Sequence, residues 1–261
     1  MCGIMSGMSE AVCCDDMKVE LYGTVFTIRQ SPCWLGDAAM YTETLKLQVN
    51  ADGAFLVGTR DGLAPQSKSA RSRFKVPYEW ARELRGELRR MRLPACPDFF
   101  VGCDGGYMEL SVKEDGCRAL YRWWGDAPSG WEELDRFARR LIFIFEIMCE
   151  MEDRADGVAP ELALVCPVAG ISHCECVAHL TMEIGVGDWL ELVREADNVH
   201  DPNAIAVMVR GGARIGYIPR RCNGAVASGM DSGQMFTAKV VSIDAEGAVP
   251  KVDIAVFAEP G

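Results

Sequence analysis

Residues 189–209 read WLELVREADNVHDPNAIAVMV, and residues 214–220 follow with RIGYIPR. The first block opens on alternating apolar and polar residues, the pattern of a half-buried strand over 189–194. It then crosses Asp197, Asn198, Asp201 and Asn203, whose short polar side chains bond nearby backbone and fix tight loops. A second apolar run over 204–209 and a third over 213–218 are expected as strands separated by a turn at Gly211-Gly212. Together they describe strand, polar loop, strand, turn, strand. A loop of that kind on the rim of a sheet turns polar groups outward and suits recognition.

Further strands are expected at 162–168, 174–179, 236–243 and 251–256, with one short helix at 223–228. Many short strands broken by Gly, Asp and Asn predict a small barrel rather than a layered α/β unit. Upstream, the signals change. Strands are expected at 19–30, 42–49, 54–59, 107–113 and 117–123, with Glu114-Asp115-Gly116 as a hairpin turn. Helices are expected at 77–91, on the apolar spacing Ala81, Leu84, Leu88 and Met91, and at 130–150, on Leu134, Phe137, Leu141, Ile144, Phe145 and Met148. The polar, basic stretch 62–76 reads as a loop. The fold class is therefore α+β: an N-terminal antiparallel sheet with two helices and a C-terminal barrel. The expected division is a leader at 1–17, an α+β domain at 18–151, a linker at 152–160 rich in charge, Gly and Pro, and the barrel at 161–261.

The two blocks closely resemble the HIRAN domain family. The matching residues are Arg194, Glu195, Asp197, Asn198, Asp201, Asn203, Ala204, Ile205 and Val207, then Ile215 to Arg220, and 168–173 resembles the family's opening strand. The resemblance covers about 167–256. It implies a modified OB-like barrel and, in the eukaryotic branch of the family, binding of single-stranded DNA at its free 3′ end. A loop carboxylate would accept the terminal hydroxyl, rings would stack the end bases and a cation would hold phosphate. Carried over by position, the carboxylate is Asp201 with Asn198 beside it, His200 and His173 stand at stacking positions, and Tyr217 and Arg220 supply ring and cation. Ser172 stands where that branch has arginine. Stacking on a ring contributes about 1–3 kcal/mol per base and tolerates any base. The role implied is non-enzymatic nucleic-acid binding in DNA repair or processing; a protein-interaction module without DNA binding is the alternative.

Charge bears directly on that expectation. The chain carries 27 Lys+Arg against 38 Asp+Glu, a net of −11, which excludes a general-purpose DNA coat. Residues 161–261 hold 13 acidic side chains against 7 basic, so the barrel has little long-range attraction for phosphate. Residues 68–92 hold nine cations against Glu79, Glu83 and Glu87. Arg82, Arg85 and Arg89 fall on one side of the predicted helix. They form a candidate phosphate patch supplying what the barrel lacks, unless they are a solvated face paired by Glu79–Arg82 and Glu87–Arg90.

The remaining chemistry is thin. His173, Cys174, Cys176 and His179 offer zinc-ligating atoms, but strand alternation splits them between two faces, so buried thiols and no metal are expected. Trp123, Trp124 and Trp131 read as core. Met1-Cys2-Gly3-Ile4 is similar to the start of class II glutamine amidotransferases, but the Arg-Gly-Pro-Asp those enzymes carry downstream is missing. With three histidines and no nucleophile–base pairing in the pattern, no enzyme and no cofactor are expected. The twelve cysteines include no Cys-x-x-Cys, no stretch reads as a secretory signal, and the apolar run 141–149 is interrupted by Glu146 and too short for a bilayer. A cytoplasmic protein with no membrane partner is the expectation.

Overall fold

The structure, a computed structural model, describes residues 23–31, 41–62, 70–95, 97, 106–114, 116–154, 161–174, 184–245 and 247–259. Six strands build the first sheet: β1 (Gly23–Ser31), β2 (Tyr41–Asn50), β3 (Gly53–Gly62), β4 (Ala70–Val76), β5 (Tyr107–Glu114) and β6 (Cys117–Trp124). They lie in the order β4-β3-β2-β1-β5-β6, every neighbouring pair antiparallel. Helices α1 (Tyr78–Arg90) and α2 (Glu132–Arg154) accompany it. The alternate residues Phe26, Ile28, Leu45, Leu47, Leu56, Phe74 and Leu110 are buried in one core with Leu84 of α1 and Leu134, Phe137, Leu141 and Ile144 of α2. At Gly58 a methyl group would stand 2.1 Å from the Phe145 ring, so a glycine is what lets α2 lie this close to β3.

The second sheet contains β7 (Glu161–Pro167), β8 (Trp189–Arg194), β9 (Ile205–Val209), β10 (Arg214–Tyr217), β11 (Phe236–Asp244) and β12 (Lys251–Ala258), in the order β10-β9-β8-β11-β12-β7. Its two edges meet where Ala169, just past β7, pairs with Tyr217 of β10. That pair closes the curled sheet into a small OB-like barrel around Ile205, Val207, Ile215, Val240, Val252, Ile254 and Val256. Helix α3 (Gly224–Asp231) plugs it with Val226 and Ala227. The fold is thus α+β, two antiparallel sheets with three α-helices among the described residues.

Three expectations are corrected. The stretch read as a loop contains β4: Phe74 and Val76 point into the core while Arg71, Arg73 and Lys75 stay exposed, so an edge strand with a fully charged outer face hides its period of two. Helix α2 continues to Arg154, into the expected linker. The opening strand of the barrel is 161–167, because Gly170 at φ +76° ends the extended run and residues 171–173 make a 3-10 turn. The leader at 1–17 and most of the strand expected at 174–179 lie outside the described residues.

The first core reaches across to the second sheet. On β12, Val252, Ile254 and Val256 fill the barrel, whereas Ala255 and Phe257 join the first core beside Leu162 and Val241. A strand buried on both faces reads as a continuous apolar run rather than an alternation. Polar contacts seal the seam. Arg140 of α2 donates to Glu87 of α1 at 2.7 Å and stands 3.6 Å from Asp253 of β12. Buried Lys239 lies 3.7 Å from Glu150 and over the Trp189 ring. No described helix is long and apolar enough to cross a membrane.

Arg140→Met strands two carboxylates at the seam. It is expected to cost about 1–3 kcal/mol by urea denaturation, between the cost of an exposed ion pair and that of unpairing a buried one.

Candidate nucleic-acid interface

Between β8 and β9 the chain makes a ten-residue rim loop held by its own side chains. The backbone N–H groups of His200 and Asp201 donate to Asn198 Oδ1 at 2.9 and 3.2 Å. Asn203 N–H donates to Asp201 Oδ1 at 2.9 Å. Each short side chain replaces a backbone partner the loop lacks, which is why Asn and Asp stand at these positions. Arg194 clamps the loop from beneath: it donates to the carbonyls of Pro202 and Ala204 at 2.7 and 3.2 Å and forks onto Asp231 of α3.

The second block docks against this loop. Tyr217 OH donates to Glu195 Oε2 at 3.2 Å and accepts from Arg214 at 2.6 Å, and the same Glu195 oxygen accepts from Asn198 Nδ2 at 2.8 Å. Burial raises the Tyr217 phenol above its usual range, with the Glu195 carboxylate adding to the effect, so the ring stays a neutral donor. Asp201 Oδ2 accepts from Asn223 Nδ2 at 2.8 Å and lies 3.6 Å from Arg220 Nε, while Arg220 Nη2 donates to the His200 carbonyl. Asn198, His200, Asp201, Tyr217 and Arg220 are therefore one bonded network. His173 is exposed on the 3-10 turn that the Ala169–Tyr217 pair carries to the same rim. Gly216 is required where that pair forms: a methyl group there would stand 2.4 Å from the Ala169 carbonyl oxygen.

The Asn203 N–H, above all, and then Asn223 and Arg220 hold the Asp201 carboxyl below the ordinary range. A carboxylate has about four lone-pair directions. The hydrogen bonds from Asn203 and Asn223 occupy two, and Arg220 at 3.6 Å adds charge rather than a hydrogen bond, which leaves room for a further donor. Arg220 remains 71% exposed despite its loop contacts, and Val199 at the loop tip is 90% exposed.

The proposed helical patch is arranged differently. Arg85 and Arg89 both close on Glu114 at the end of β5, Arg85 with only 12% of its side chain exposed, and Arg82 pairs with Glu79. Glu87 bonds Arg140 rather than Arg90. Arg85 and Arg89 thus tie α1 to the sheet, while Arg82 pairs within its own helix. Pairing through residues 25 to 29 positions away leaves no local trace in the sequence. Reasoning from sequence also passed over Arg214, Asn223 and Val199; Asn223 stood in plain view at the start of a predicted helix.

One cavity elsewhere does not suit an anion. It measures about 490 Å³, lies between α2 and the first sheet, and is lined by Glu43, Glu146, Glu150 and Asp153. Burial, then the Glu43 charge, raises the Glu146 carboxyl, and burial pushes the Cys149 thiol up to about 11, so it is a protonated, poor nucleophile at neutral pH. No group of three or more His, Cys, Asp or Glu among the described residues is placed to hold a metal ion.

A family model described as HIRAN domain matches residues 162–259, which span the barrel from β7 to the end of β12. The chain carries a HIRAN domain. Solved structures similar to this HIRAN region include a protein from Lactobacillus plantarum, 32% identical, covering 36% of this chain and 89% of its own with a TM-score of 0.33. A crystal structure of the HIRAN domain of human HLTF is 22% identical, over 37% of this chain and 75% of its own, with a TM-score of 0.30. A solution structure of the same human domain is 21% identical, over 38% and 80%, with a TM-score of 0.28. No protein of curated function matches the chain.

Asp201 makes the loop's stability depend on pH in a definite direction. Its folded pKa is depressed, so the stabilisation is present above the unfolded carboxylate pKa of about 3.9 and is lost as pH falls through the lowered folded value. In thermal melts, Asp201→Asn is expected to lower Tm at neutral pH and to converge with the unmodified chain at the acid end.

Proposed function

We propose that this chain is a non-enzymatic nucleic-acid-binding protein whose HIRAN domain takes single-stranded DNA at its 3′ end, in DNA repair or processing. The observation that carries the reading is the Asn198–Asp201 loop: a carboxylate held by two hydrogen bonds with acceptor directions left, beside an exposed guanidinium. A terminal hydroxyl is a donor and satisfies one of them. A terminal phosphate brings negative charge against Asp201 and is repelled. Arg220 reaches the adjacent backbone phosphate, and His200, His173 and Tyr217 offer rings to the end bases. The acidic HIRAN domain adds little steering, so affinity through this loop alone is modest and local.

The alternative is a protein-interaction module in which exposed Val199 at the loop tip, with half-exposed Val193 on β8, enters a partner's apolar pocket. Binding measurements separate the two. Fluorescence anisotropy with oligonucleotides ending in 3′-hydroxyl or 3′-phosphate is expected to show tighter binding of the hydroxyl end, and Asp201→Ala is expected to abolish the difference. Equal binding of both ends by the unmodified chain contradicts end recognition. No oligonucleotide binding, together with salt-insensitive pull-down of a protein partner that Val199→Asp abolishes, points to the apolar loop tip instead.

A further inference from the structure

The first sheet is covered by helices on one face. Its opposite face is a second, separate surface, with no hydrogen bond or ion pair to the HIRAN domain among its described residues. On β4, Arg71, Arg73 and Lys75 are all exposed there, in register with Thr59, Val57 and Phe55 of β3. The middle strands add Arg29 and Lys46, and the far edge adds Lys113, Arg118 and Arg122. One carboxylate shares this face among the described side chains. Glu109 is buried between Arg29 and Arg122, each within 3.1 Å, and so cancels one charge while holding two guanidinium groups upright. Asp61 takes the same face by its register on β3, so eight cations against two carboxylates leave +6 on one face of a chain whose net charge is −11. Charge is segregated here far beyond what the total suggests.

Planar groups are interleaved with the cations. The Arg73 guanidinium lies 3.7 Å over the Phe55 ring, and Arg122 lies 5.2 Å over Tyr107, which pairs across strands with Trp124. A guanidinium over a ring places cation and π-surface side by side, so that a base can pack on the ring while N–H groups reach phosphate. Five inter-strand steps of about 4.8 Å spread these groups over roughly 24 Å, the footprint of a chain rather than of one phosphate. We infer that the open face of this sheet binds single-stranded nucleic acid, phosphates on its arginines and lysines and bases on its guanidinium-capped rings.

Other polyanions fit less well. A six-stranded face is too wide for a duplex groove of about 12 Å, so the bases of double-stranded DNA stay out of reach. Membrane binding needs apolar anchors, and Leu120 is the one large aliphatic side chain markedly exposed among the described residues of this face. An acidic protein has no need of the ordered rings.

The test is anisotropy of the full chain with oligodeoxythymidylate and oligouridylate over a salt series. It compares the triple variant Arg71→Glu, Arg73→Glu, Lys75→Glu with the double variant Lys113→Glu, Arg118→Glu at the opposite edge. Both change exposed positions only, and two separate edges guard against one local misfolding. Each is expected to weaken binding at least tenfold. The triple variant is expected to flatten the salt dependence by about 2 in log–log slope, from about 0.7 for each single-strand phosphate contact. A preference between the two oligonucleotides identifies which strand the face carries. Unchanged affinity and slope in both variants overturns the proposal. So does binding of polyglutamate, or of vesicles containing phosphatidylserine, as tight as that of the oligonucleotides. Asp201→Ala, measured in parallel, keeps the two sites apart: loss confined to the sheet variants leaves this proposal standing without HIRAN end recognition, and loss confined to Asp201→Ala does the reverse.

Discussion

Helix α2 is the constraint on which the rest depends. It is buried on two sides at once, with Leu134, Phe137, Leu141 and Ile144 in the first core and Arg136, Arg140 and Phe143 turned to the HIRAN sheet. Strand β12 answers it with Ala255 and Phe257, both fully buried. Apolar burial at about 25 cal/mol per Å² makes this seam a part of the core rather than a loose domain contact. The ion pairs across it give register more than net stability, since desolvation offsets much of their attraction. The HIRAN domain and the first sheet are consequently joined through α2 and β12 rather than by a loose linker.

Within the HIRAN domain the same economy operates on a smaller scale. Arg194 joins the loop to α3, Glu195 joins it to Tyr217, and Asp201 joins it to Asn223. These bonds hold the rim before any ligand arrives, which lowers the ordering cost that a flexible loop incurs on binding. Rigid polar rims bind by placement rather than by area.

How much of this could be read in the residues differs from element to element. The HIRAN loop was legible because its chemistry is local: the Asn198 and Asp201 side chains accept from backbone N–H groups two or three positions on, and such patterns survive in sequence. The helices were legible from Ala81, Leu84 and Leu141 on a 3.6-residue period. Strand β4 was not, because its outward positions are all cations and the two buried ones, Phe74 and Val76, are too few to show alternation. The partners of Arg85, Arg89 and Arg140 were not legible either, being chosen by packing across long separations. The net charge of −11 concealed the most consequential arrangement, since only sheet register shows that Arg29, Lys46, Arg73 and Arg118 share a face.

Amide hydrogen exchange of the full chain, with and without a saturating single-stranded oligonucleotide, tests the central claim most directly. The account predicts slowed exchange in the HIRAN segments 195–204 and 214–223, with added protection along β4 and β6. Exchange unchanged in both HIRAN segments, or protection confined to the acidic cavity around Glu146, would contradict it.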